Sequence, residues 1–432
     1  MKTSLFIALR YLSPFRQGSL RRVRGAIISI GLSLVPLIVV LEVSDGMIQG
    51  ITARILELGT YHIQVLGPPN APPSQREALI KSIEPLPEVL SVTEEVQGIG
   101  LLYSSEGSKG VTLRAVPKEI WNQDARFREY LKILEGEFDL SDPSGLVIGR
   151  DLSEKIGVGV GDFVRVITPY SLSGNTILSR VSKFRVAGIV SSGYQELDRI
   201  WAFISKERQR ILSPQASRTV IGIKVKSPYK DLSRIQATLY QLIPPSYRVY
   251  TWEELERSRM LSFQTTRYLL LFIMVLIVVV SSVNISSTLW ILQMEKREEL
   301  AILKSYGFKP RQIETLFYCL GAGIGIVGAF LGTALGLGAS VSINELIIGV
   351  EYLVNNGLNL FRMVLTQVGV GIGGGEIQIL NPQFYLEKIP FVLKPLEVTV
   401  CSFLTILLSI LSSVLPARSA ARLKPLEVLS RH

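Results

Sequence analysis

The sequence predicts an α-helical membrane protein with four transmembrane helices and a mixed α+β extracytoplasmic domain inserted between helices 1 and 2. Three observations predict this fold class. Apolar residues are concentrated in four windows, each close to the ~20 residues that cross a bilayer. Basic residues cluster in short segments beside those windows, and the long stretch between the first two windows mixes strand and helix patterns.

The four apolar windows are long and almost free of charge. They are Ala26–Val43, Tyr268–Leu292, Phe317–Ile343 and Leu396–Leu415. A buried core helix is the alternative for each window, but runs of this length favour membrane spans. A cleaved signal peptide is a second alternative for the first window. The absence of a small-x-small cleavage pattern after Glu42 favours a retained span.

The net charge of +10 is explained by where the basic residues lie. They precede the first window, separate the second from the third, and follow the fourth. They are Lys2, Arg10, Arg16, Arg21, Arg22 and Arg24; Lys296, Arg297, Lys304, Lys309 and Arg311; and Arg418, Arg422, Lys424 and Arg431. Because short basic segments stay in the cytoplasm, both termini and residues 293–316 are predicted inside, and residues 44–266 and 344–395 outside. The charge thus indicates orientation and not nucleic-acid binding.

These windows divide the chain into consecutive segments. They are a cytoplasmic interfacial helix (1–24), transmembrane helix 1 and its stalk (25–58), the extracytoplasmic domain (59–251), a second stalk with transmembrane helix 2 (252–292), a cytoplasmic segment (293–316), transmembrane helix 3 (317–343), an external loop (344–395), transmembrane helix 4 (396–416) and a cytoplasmic tail (417–432). The helical pattern from Trp252 continues into the second window, which predicts one unbroken helix. The third window carries many glycines, which predicts close packing against another helix or a second subunit.

The extracytoplasmic domain is predicted to contain two β-α-β units around a strand-rich insert. The first unit comprises a strand at Tyr61–Leu66, a helix at Ser74–Ile83 and a strand at Val89–Val96. The second repeats this order at Thr219–Val225, Asp231–Leu242 and Tyr247–Thr251. Between them, strand patterns occur at 146–148, 163–168, 183–190 and 200–204, with a glycine-rich turn at 157–162.

Motifs for catalysis or nucleotide binding are missing or stand in the wrong context. Gly323-x-Gly325-x-x-Gly328 matches a dinucleotide fingerprint by letter but lies within an apolar window. The dipeptide Gly-Lys does not occur, so the sequence has no phosphate-binding P-loop of that type. His62 and His432 are the only histidines, too few for a histidine-based metal site or triad, and His62 at a strand end favours a structural role. The chain is therefore predicted not to be an enzyme.

The cytoplasmic segment between the second and third windows has an amphipathic pattern. Its apolar side carries Leu300, Ile302, Leu303 and Tyr306, and its polar side carries Glu295, Arg297, Glu298 and Lys304. Gly307 can end this helix in the left-handed conformation, and Pro310 can begin the next helix. Periodicity leaves two interpretations open: an amphipathic turn at the membrane surface, or a helix that docks on a partner.

The same segment resembles part of a known family. Residues Arg297–Ile313 look like the coupling segment of FtsX/MacB-type ABC transporter permeases, and Leu415–Leu429 look like that family's terminal stretch. Within this superfamily the sequence is most similar to the lipoprotein-releasing permeases of the LolC/LolE type. This closer resemblance is carried by Ala8–Leu12, Ile38–Met47, Ser192–Asp198 and Asn381–Pro390. Residues 350–380 look like an insertion.

The resemblance implies an activity and a set of partners. It implies a multi-pass permease of the bacterial inner membrane with a periplasmic domain and no cofactor of its own. A LolD-like cytoplasmic ABC ATPase dimer would bind ATP and Mg²⁺, and a second permease copy or a paralogue would complete the transporter. Lipoprotein substrates would leave the membrane lipid for a LolA-like periplasmic lipoprotein carrier and outer-membrane sorting. An efflux-type permease for another cargo, or a division-type signalling scaffold acting on a cell-wall hydrolase, stays open as an alternative.

Three groups of candidate site residues follow, none of them catalytic or metal-ligating. The ATPase-coupling residues are Glu295, Arg297, Glu298, Leu303, Lys304 and Gly307. The candidate lipoprotein-contact residues are Val40, Val43, Met47, Ile48, Met260, Leu261 and Phe263, on the outer parts of the first two spans and their stalks. The candidate carrier-contact hairpin contains Pro169, Tyr170, Leu172 and Ile177. Ordinary packing between stalk helices is the alternative explanation for the second group.

Overall fold

The computed structural model describes residues 6–8, 10–11, 20–69, 71–171, 177–213, 216–367, 386 and 389–423. The chain forms two compact units. The membrane unit consists of Met1–Gly46, Phe263–Gly375 and Ile389–His432, and the domain unit consists of Met47–Ser262 and Glu376–Lys388. The membrane unit thus collects the segments around the four apolar windows, and the domain unit collects the inserted residues.

Helices and strands alternate in the domain unit, whereas the described elements of the membrane unit are helices. The helices are α1 (Leu20–Arg54), α2 (Pro73–Ile83), α3 (Ile120–Gln123), α4 (Ala125–Tyr130), α5 (Arg150–Ile156), α6 (Gln195–Asp198), α7 (Leu232–Leu242), α8 (Trp252–Leu255), α9 (Arg257–Glu295), α10 (Arg297–Ser305), α11 (Pro310–Val341), α12 (Ile343–Gln367), α13 (Pro395–Ser412) and α14 (Val414–Ala421). The strands are β1 (Ile63–Leu66), β2 (Val89–Tyr103), β3 (Ser108–Val116), β4 (Lys132–Gly136), β5 (Gly145–Gly149), β6 (Phe163–Ser171), β7 (Ile177–Ser191), β8 (Trp201–Ser205), β9 (Ser217–Val225) and β10 (Arg248–Thr251). A π-helical turn, Ile55–Thr60, follows α1, and a 3₁₀ turn, Lys206–Ile211, follows β8.

Four helices among the described residues are long and apolar enough to cross a membrane. They are Val23–Thr60, Arg257–Glu295, Pro310–Val341 and Pro395–Ala421. The first combines α1 with its π-helical turn, and the last combines α13 with α14. Each of the four overlaps one of the apolar windows, so the windows mark helices of spanning length.

The third of these helices, α11, packs through its glycines. A Cβ atom at Gly325 would lie 2.7 Å from the Cβ of Ser409, and one at Gly332 would lie 2.8 Å from the carbonyl oxygen of Gly31. The Ser409 hydroxyl also donates a hydrogen bond of 2.5 Å to the carbonyl of Gly321. Small residues permit this backbone approach between helices. The close packing predicted for the glycines is confirmed, and its partners here are α1 and α13 of the same chain.

The domain unit is built on a ten-stranded sheet. Its strand order is β10-β1-β9-β2-β3-β8-β5-β7-β4, and β6 pairs with β2 and β7. The pairs β3–β8 and β5–β7 are parallel. The segments β1-α2-β2 and β9-α7-β10 interleave, because β1 lies between β10 and β9, and β9 lies between β1 and β2. The two segments therefore share one sheet.

Two apolar cores support this sheet. One contains residues of α2, α7 and the interleaved strands, such as Leu79, Leu239 and Ile223. The other contains residues of β2, β3 and β5 to β8, such as Phe184. Leu56, in the π-helical turn after α1, belongs to the first core. The end of the first stalk is therefore packed into the domain.

The structure differs from the sequence prediction in three places. The unbroken helix predicted from Trp252 is wrong: a capping box between Thr251 and Glu254 starts the short helix α8, and the chain turns at Glu256 before α9 begins. Strand β2 continues to Tyr103, and β3 and β4 are additional strands. The external loop contains a helix, α12, whose apolar residues are interrupted by Glu345, Glu351 and Asn355, and it is not among the described helices with the length and composition of a span.

Candidate functional site

The candidate coupling segment is a short helix with a well-defined end. Gly307 follows α10 with a φ of +93°, in the left-handed region that glycine tolerates best. The amide of Gly307 donates to the carbonyl of Lys304 (3.0 Å), and the amide of Phe308 donates to the carbonyl of Leu303 (3.2 Å). These bonds form a Schellman cap, and α11 then begins at Pro310. The helix end predicted at Gly307 and the helix start predicted at Pro310 are confirmed.

The inner side of α10 is fixed within the membrane unit. Leu300 and Ala301 are buried, and Leu300 joins an apolar cluster shared with α1, α9, α11 and α14. The ammonium of Lys304 donates hydrogen bonds of 2.6 Å to the carbonyls of Ala421 and Leu423. Desolvation lowers the pKa of this ammonium. Lys304 therefore positions α10 against the end of α14.

Residues near the N-terminus also contact this segment. Ala8 is buried in the same apolar cluster. The hydroxyl of Tyr11 donates to the carboxylate of Glu299 at 2.8 Å, and Lys296 pairs with that carboxylate at 2.5 Å. The described part of the predicted interfacial helix therefore packs on the coupling segment.

The outer side of α10 is open. Among the predicted coupling residues, Glu295, Arg297 and Glu298 are exposed, and Leu303 is half-buried. Tyr306 is 84% exposed and Ile302 is 46% exposed, one helical turn apart. The sequence grouped both with Leu300, but positions two and six residues further along a helix lie roughly opposite Leu300. Tyr306 and Ile302 are thus surface residues that the prediction missed. Their position around the helix, opposite the buried Leu300, could have indicated their exposure.

The candidate lipoprotein-contact residues keep some exposure in the single chain. Leu261 is 54% exposed. Val40, Val43, Met47, Ile48, Met260 and Phe263 are half-buried. Within the domain unit, Met260 packs against the core that contains Leu56, and the Thr52 hydroxyl contacts its sulfur at 3.9 Å. Ordinary packing accounts for part of the burial of Met260, and Leu261 keeps the most exposed side chain of the group.

An ion-pair cluster connects α1, α9 and α13. Arg267 contacts Asp45 at 3.2 Å and Glu397 at 2.5 Å. Lys394 contacts Asp45 at 2.8 Å and Glu397 at 3.6 Å. Mutual pairing offsets the desolvation of charges in such a position. The cluster connects three helices next to Val43. In the sequence, these charged residues flank the apolar windows, and that position could have indicated the cluster.

The ends of the two stalks meet at one loop of the domain unit, residues 191–198. The Arg54 guanidinium, at the end of α1, donates to the carbonyl of Ser192 at 2.6 Å. The Arg259 guanidinium, near the start of α9, donates to the carboxylate of Glu196 at 3.0 Å. We call Arg54, Arg259 and this loop the stalk joint. A displacement of either arginine acts on the same loop.

The loop of the stalk joint is held by its own hydrogen bonds. The carboxylate of Asp198 accepts the hydroxyl protons of Ser191 (2.7 Å) and Ser192 (2.6 Å). Burial raises the pKa of Asp198, and the hydrogen bonds from both serines act in the opposite direction. Gly193 has a φ of +68°, and a Cβ atom there would lie 3.3 Å from the Arg54 guanidinium. The loop therefore presents a fixed surface to Arg54.

Buried charges surround the π-helical turn after α1. The carboxylate of Glu57, in this turn, contacts Lys224 (3.0 Å), His62 (3.3 Å) and Arg126 (2.8 Å). Lys224 also contacts Asp124 at 2.6 Å. Buried charges are tolerated when they are paired in this way. His62 is fully buried among these contacts, in agreement with its predicted structural role.

A second buried ion pair holds the same turn. Arg114 donates to Glu95 at 2.7 Å and also to the carbonyl of Leu58. Its guanidinium lies 4.8 Å from the ring centre of Trp201, and the Tyr61 hydroxyl donates to Glu95 at 3.1 Å. The side chains of Arg114 and Glu95 are 1% and 0% exposed. Buried, paired charges therefore hold the end of the first stalk in the domain.

The candidate carrier-contact hairpin is formed by β6 and β7. Pro169 and Tyr170 are half-buried, and the Arg180 guanidinium lies 4.3 Å from the Tyr170 ring centre. Leu172 lies outside the described residues, and Ile177 is the first residue of β7. Exposed apolar side chains continue along the sheet from this hairpin at Leu178, Val181, Leu101 and Ile99.

The candidate site features in the described part of the chain are exposed surfaces and ion pairs. Within it, no group of three or more His, Cys, Asp or Glu side chains could hold a metal ion. Cys319 and Cys401 are half-buried free thiols in α11 and α13.

Two family models match the chain. The FtsX-like permease C-terminal model matches residues 271–425. The MacB-like periplasmic core domain model matches residues 25–239. The first match includes most of α9 with α10, α11 and α13, and the second includes most of α1 and of the ten-stranded sheet.

Relatives match from end to end. The lipoprotein-releasing system transmembrane protein LolC of Neisseria meningitidis is 25% identical over 441 residues, covering 98% of this chain and 98% of that protein. The corresponding LolE of Haemophilus influenzae is 23% identical and is covered over 100% of both chains. LolC of Xylella fastidiosa is 23% identical over 99% of this chain and 98% of that protein. LolC and LolE proteins therefore match this chain at similar identity.

Proposed function

Because the chain belongs to the FtsX/MacB-type ABC transporter permeases, we propose that it is the membrane subunit of a lipoprotein-releasing transporter. A partner ATPase in the cytoplasm hydrolyses ATP, and this chain uses that energy to extract lipoproteins from the inner membrane. A periplasmic carrier then takes them toward the outer membrane. The observation that carries the proposal is the end-to-end match to LolC and LolE proteins, which includes both the spans and the inserted domain.

The coupling segment supports a docking role for α10. Its inner side is anchored by Leu300 and Lys304, and its outer side exposes Tyr306 and Ile302. Exposed aromatic side chains beside charged ones are typical anchors of a protein interface. An ATPase bound to the outer side would displace α10, and the inner contacts would pass this displacement to α9, α11 and α14.

The stalk joint supports transmission of that movement into the domain. Arg54 and Arg259 come from different stalks and bind the same loop. The charges around Glu57 and Arg114 fix the end of the first stalk in the domain. Motion of the stalks would therefore change the position of the 191–198 loop.

The energetics of extraction explain why such a protein needs a partner that supplies energy. Transfer of a lipid chain out of the bilayer costs about 0.8 kcal/mol for each methylene group. Three acyl chains on one lipoprotein therefore cost some tens of kcal/mol. An apolar receiving surface lowers this cost, and Val43, Leu261 and Phe263 have exposed apolar area for such a surface.

The proposal is tested by reconstituted release. The full chain, its ATPase and a triacylated lipoprotein are placed in proteoliposomes, and transfer of lipoprotein to soluble carrier is measured with and without ATP. We expect transfer only with ATP and this chain, and loss of both transfer and ATPase stimulation in Tyr306→Glu. If the chain stimulates the ATPase but no lipoprotein is transferred, and a cell-wall hydrolase co-purifies with the chain, a signalling scaffold would be supported instead.

A further inference from the structure

Helix α12 begins where α11 leaves the membrane. The 32 residues of α11 make a helix about 48 Å long, which exceeds the ~30 Å hydrocarbon core. Its first residue, Pro310, follows the coupling segment, so its last residue, Val341, lies at the opposite membrane boundary. One residue, Ser342, separates Val341 from the start of α12. Helix α12 therefore starts at the outer surface of the bilayer.

The residues of α12 divide into an apolar and a polar face. The apolar positions recur every three or four residues at Ile343, Leu346, Ile347, Val350, Leu353, Val354 and Leu358. The polar positions are Asn344, Glu345, Glu351, Asn355, Asn356 and Asn359, with Ile348 and Tyr352 among them. Such spacing gives an amphipathic helix, and polar residues in successive turns make it unsuitable as a span.

Most of the apolar face of α12 is exposed in the single chain, as are Ile348 (66%) and Tyr352 (68%) among the polar positions. Leu353 is 70% exposed, and Leu346 and Val350 are each 46% exposed. On the polar face, the side-chain amide of Asn344 donates to the carbonyl of Ile389 and accepts from its amide, both at 3.1 Å. The polar face is thus fixed to the chain at the start of the helix, and the apolar face is left for another occupant.

We propose that α12 lies in the outer interfacial layer of the membrane, with its apolar face buried in lipid. The preceding helix α11 also exposes large apolar side chains, among them Phe330, Leu335 and Val341. The two acidic residues of α12, Glu345 and Glu351, outnumber its single basic residue, Arg362, so charge offers little attraction to anionic lipid. Burial of apolar area therefore holds the helix there. The inference depends on the four spans and not on the cargo.

Spin labels on opposite faces of α12 test this position. Cys319→Ala and Cys401→Ala remove the native thiols, and Val350→Cys or Asn359→Cys then carries a nitroxide on the full chain in lipid nanodiscs. Both positions are exposed in the single chain, so they form a matched pair. Collision with oxygen, which concentrates in lipid, is compared with collision with water-soluble nickel chelate. We expect the oxygen-to-nickel ratio to be on the order of tenfold higher at 350 than at 359.

The same measurements identify the outcomes that would overturn the proposal. Equally low oxygen-to-nickel ratios at the two positions would mean that both faces of the helix are in water. Low collision with both reagents at 350 would mean that a second copy of the chain covers the face. We expect the ratios to be the same in neutral and in anionic lipid, and a strong dependence on anionic lipid or on salt would contradict burial of apolar area as the cause. Lipoprotein release by the labelled chain is measured separately, so failure of the proposed function is distinguished from a different helix location.

Discussion

The membrane unit and the domain unit are stabilised by different contacts. In the membrane unit, glycines let α11 approach α1 and α13 at backbone distance. In the domain unit, apolar cores cover the sheet, and paired charges are buried at the end of the first stalk. Lipid gives helices little hydrophobic drive to associate, whereas water drives apolar burial in the domain. Larger side chains in place of the α11 glycines should therefore lower the stability of the membrane unit. Removal of a buried charge should lower the stability of the domain unit.

The largest effect is expected at the buried ion pair of the domain unit. Arg114→Met removes the cationic partner of the fully buried Glu95 side chain and leaves it with neutral hydrogen-bond donors such as the Tyr61 hydroxyl. We expect the free energy of unfolding of the domain to fall by about 3–5 kcal/mol. Chemical denaturation of the full chain in detergent, followed by tryptophan fluorescence, measures the change.

A double variant tests whether the effect comes from the stranded charge. Arg114→Met combined with Glu95→Gln removes both charges, and most of the lost stability should return. If the double variant is as unstable as Arg114→Met, packing and not charge pairing explains the role of Arg114.

The next largest effect is expected where α11 meets α1. A Cβ atom at Gly332 would lie 2.8 Å from the Gly31 carbonyl oxygen, whereas one at Gly338 would meet no atom within 4 Å. Gly332→Ala should lower the stability of the helix bundle by about 1–3 kcal/mol through overpacking. Gly338→Ala is the matched control and should leave unfolding in mixed micelles unchanged. Equal effects of the two substitutions would contradict packing through this face.

A binding effect of similar size is expected on the open side of α10. Tyr306→Ala removes the most exposed aromatic side chain of the coupling segment. It should weaken ATPase binding by about 2 kcal/mol, or roughly thirtyfold in Kd. Ser305→Ala, one residue away, is the control and should bind normally. Titration of labelled ATPase onto the chain in nanodiscs gives both values, and normal binding by Tyr306→Ala would remove this surface from the docking model.

The smallest effect is a pH dependence of the domain unit. Burial of Glu94 opposes its ionisation, but the hydrogen bonds and charges of Lys206 and Arg76 outweigh burial, so the pKa lies below its ordinary 4.5. An acid with a lowered folded-state pKa stabilises the fold above its unfolded pKa, and this contribution is lost as pH falls through the folded value. From about pH 5 downward, the unmodified chain should lose stability more steeply than Glu94→Gln, by about 1 kcal/mol or less. Glu77→Gln, at an exposed helix position, should follow the unmodified chain.

Much of the architecture follows from local patterns in the sequence. The apolar windows, the glycines of α11 and the Gly307–Pro310 boundary could be predicted because each depends on neighbouring residues. The interleaving of β1 and β9 could not be predicted, because strand order depends on contacts between residues far apart in the chain. The turn at Glu256 was missed because the cap at Thr251 competes with a continuous helical pattern.

The candidate sites divide in the same way. The exposed positions Arg297 and Glu298 of the coupling segment could be read from periodicity, but the bonds from Lys304 to Ala421 and Leu423 join distant segments and have no local signal. The stalk joint was missed for that reason too. Arg54 and Arg259 have ordinary surroundings in the sequence, and they acquire a shared partner only in the folded chain.

The contact between α11 and α1 restricts how the helices of the membrane unit can separate. Separation of these two helices would leave a narrow void along the glycines of α11, because glycine has no side chain to fill it. They should therefore move as one rigid pair. Half of the apolar window of α1 is buried within the chain, compared with 22% of the window of α9 and 22% of the window of α13 with α14. The lipid-exposed sides of the bundle therefore belong mainly to α9 and α13, and any separation of helices should involve these two before the α1–α11 pair.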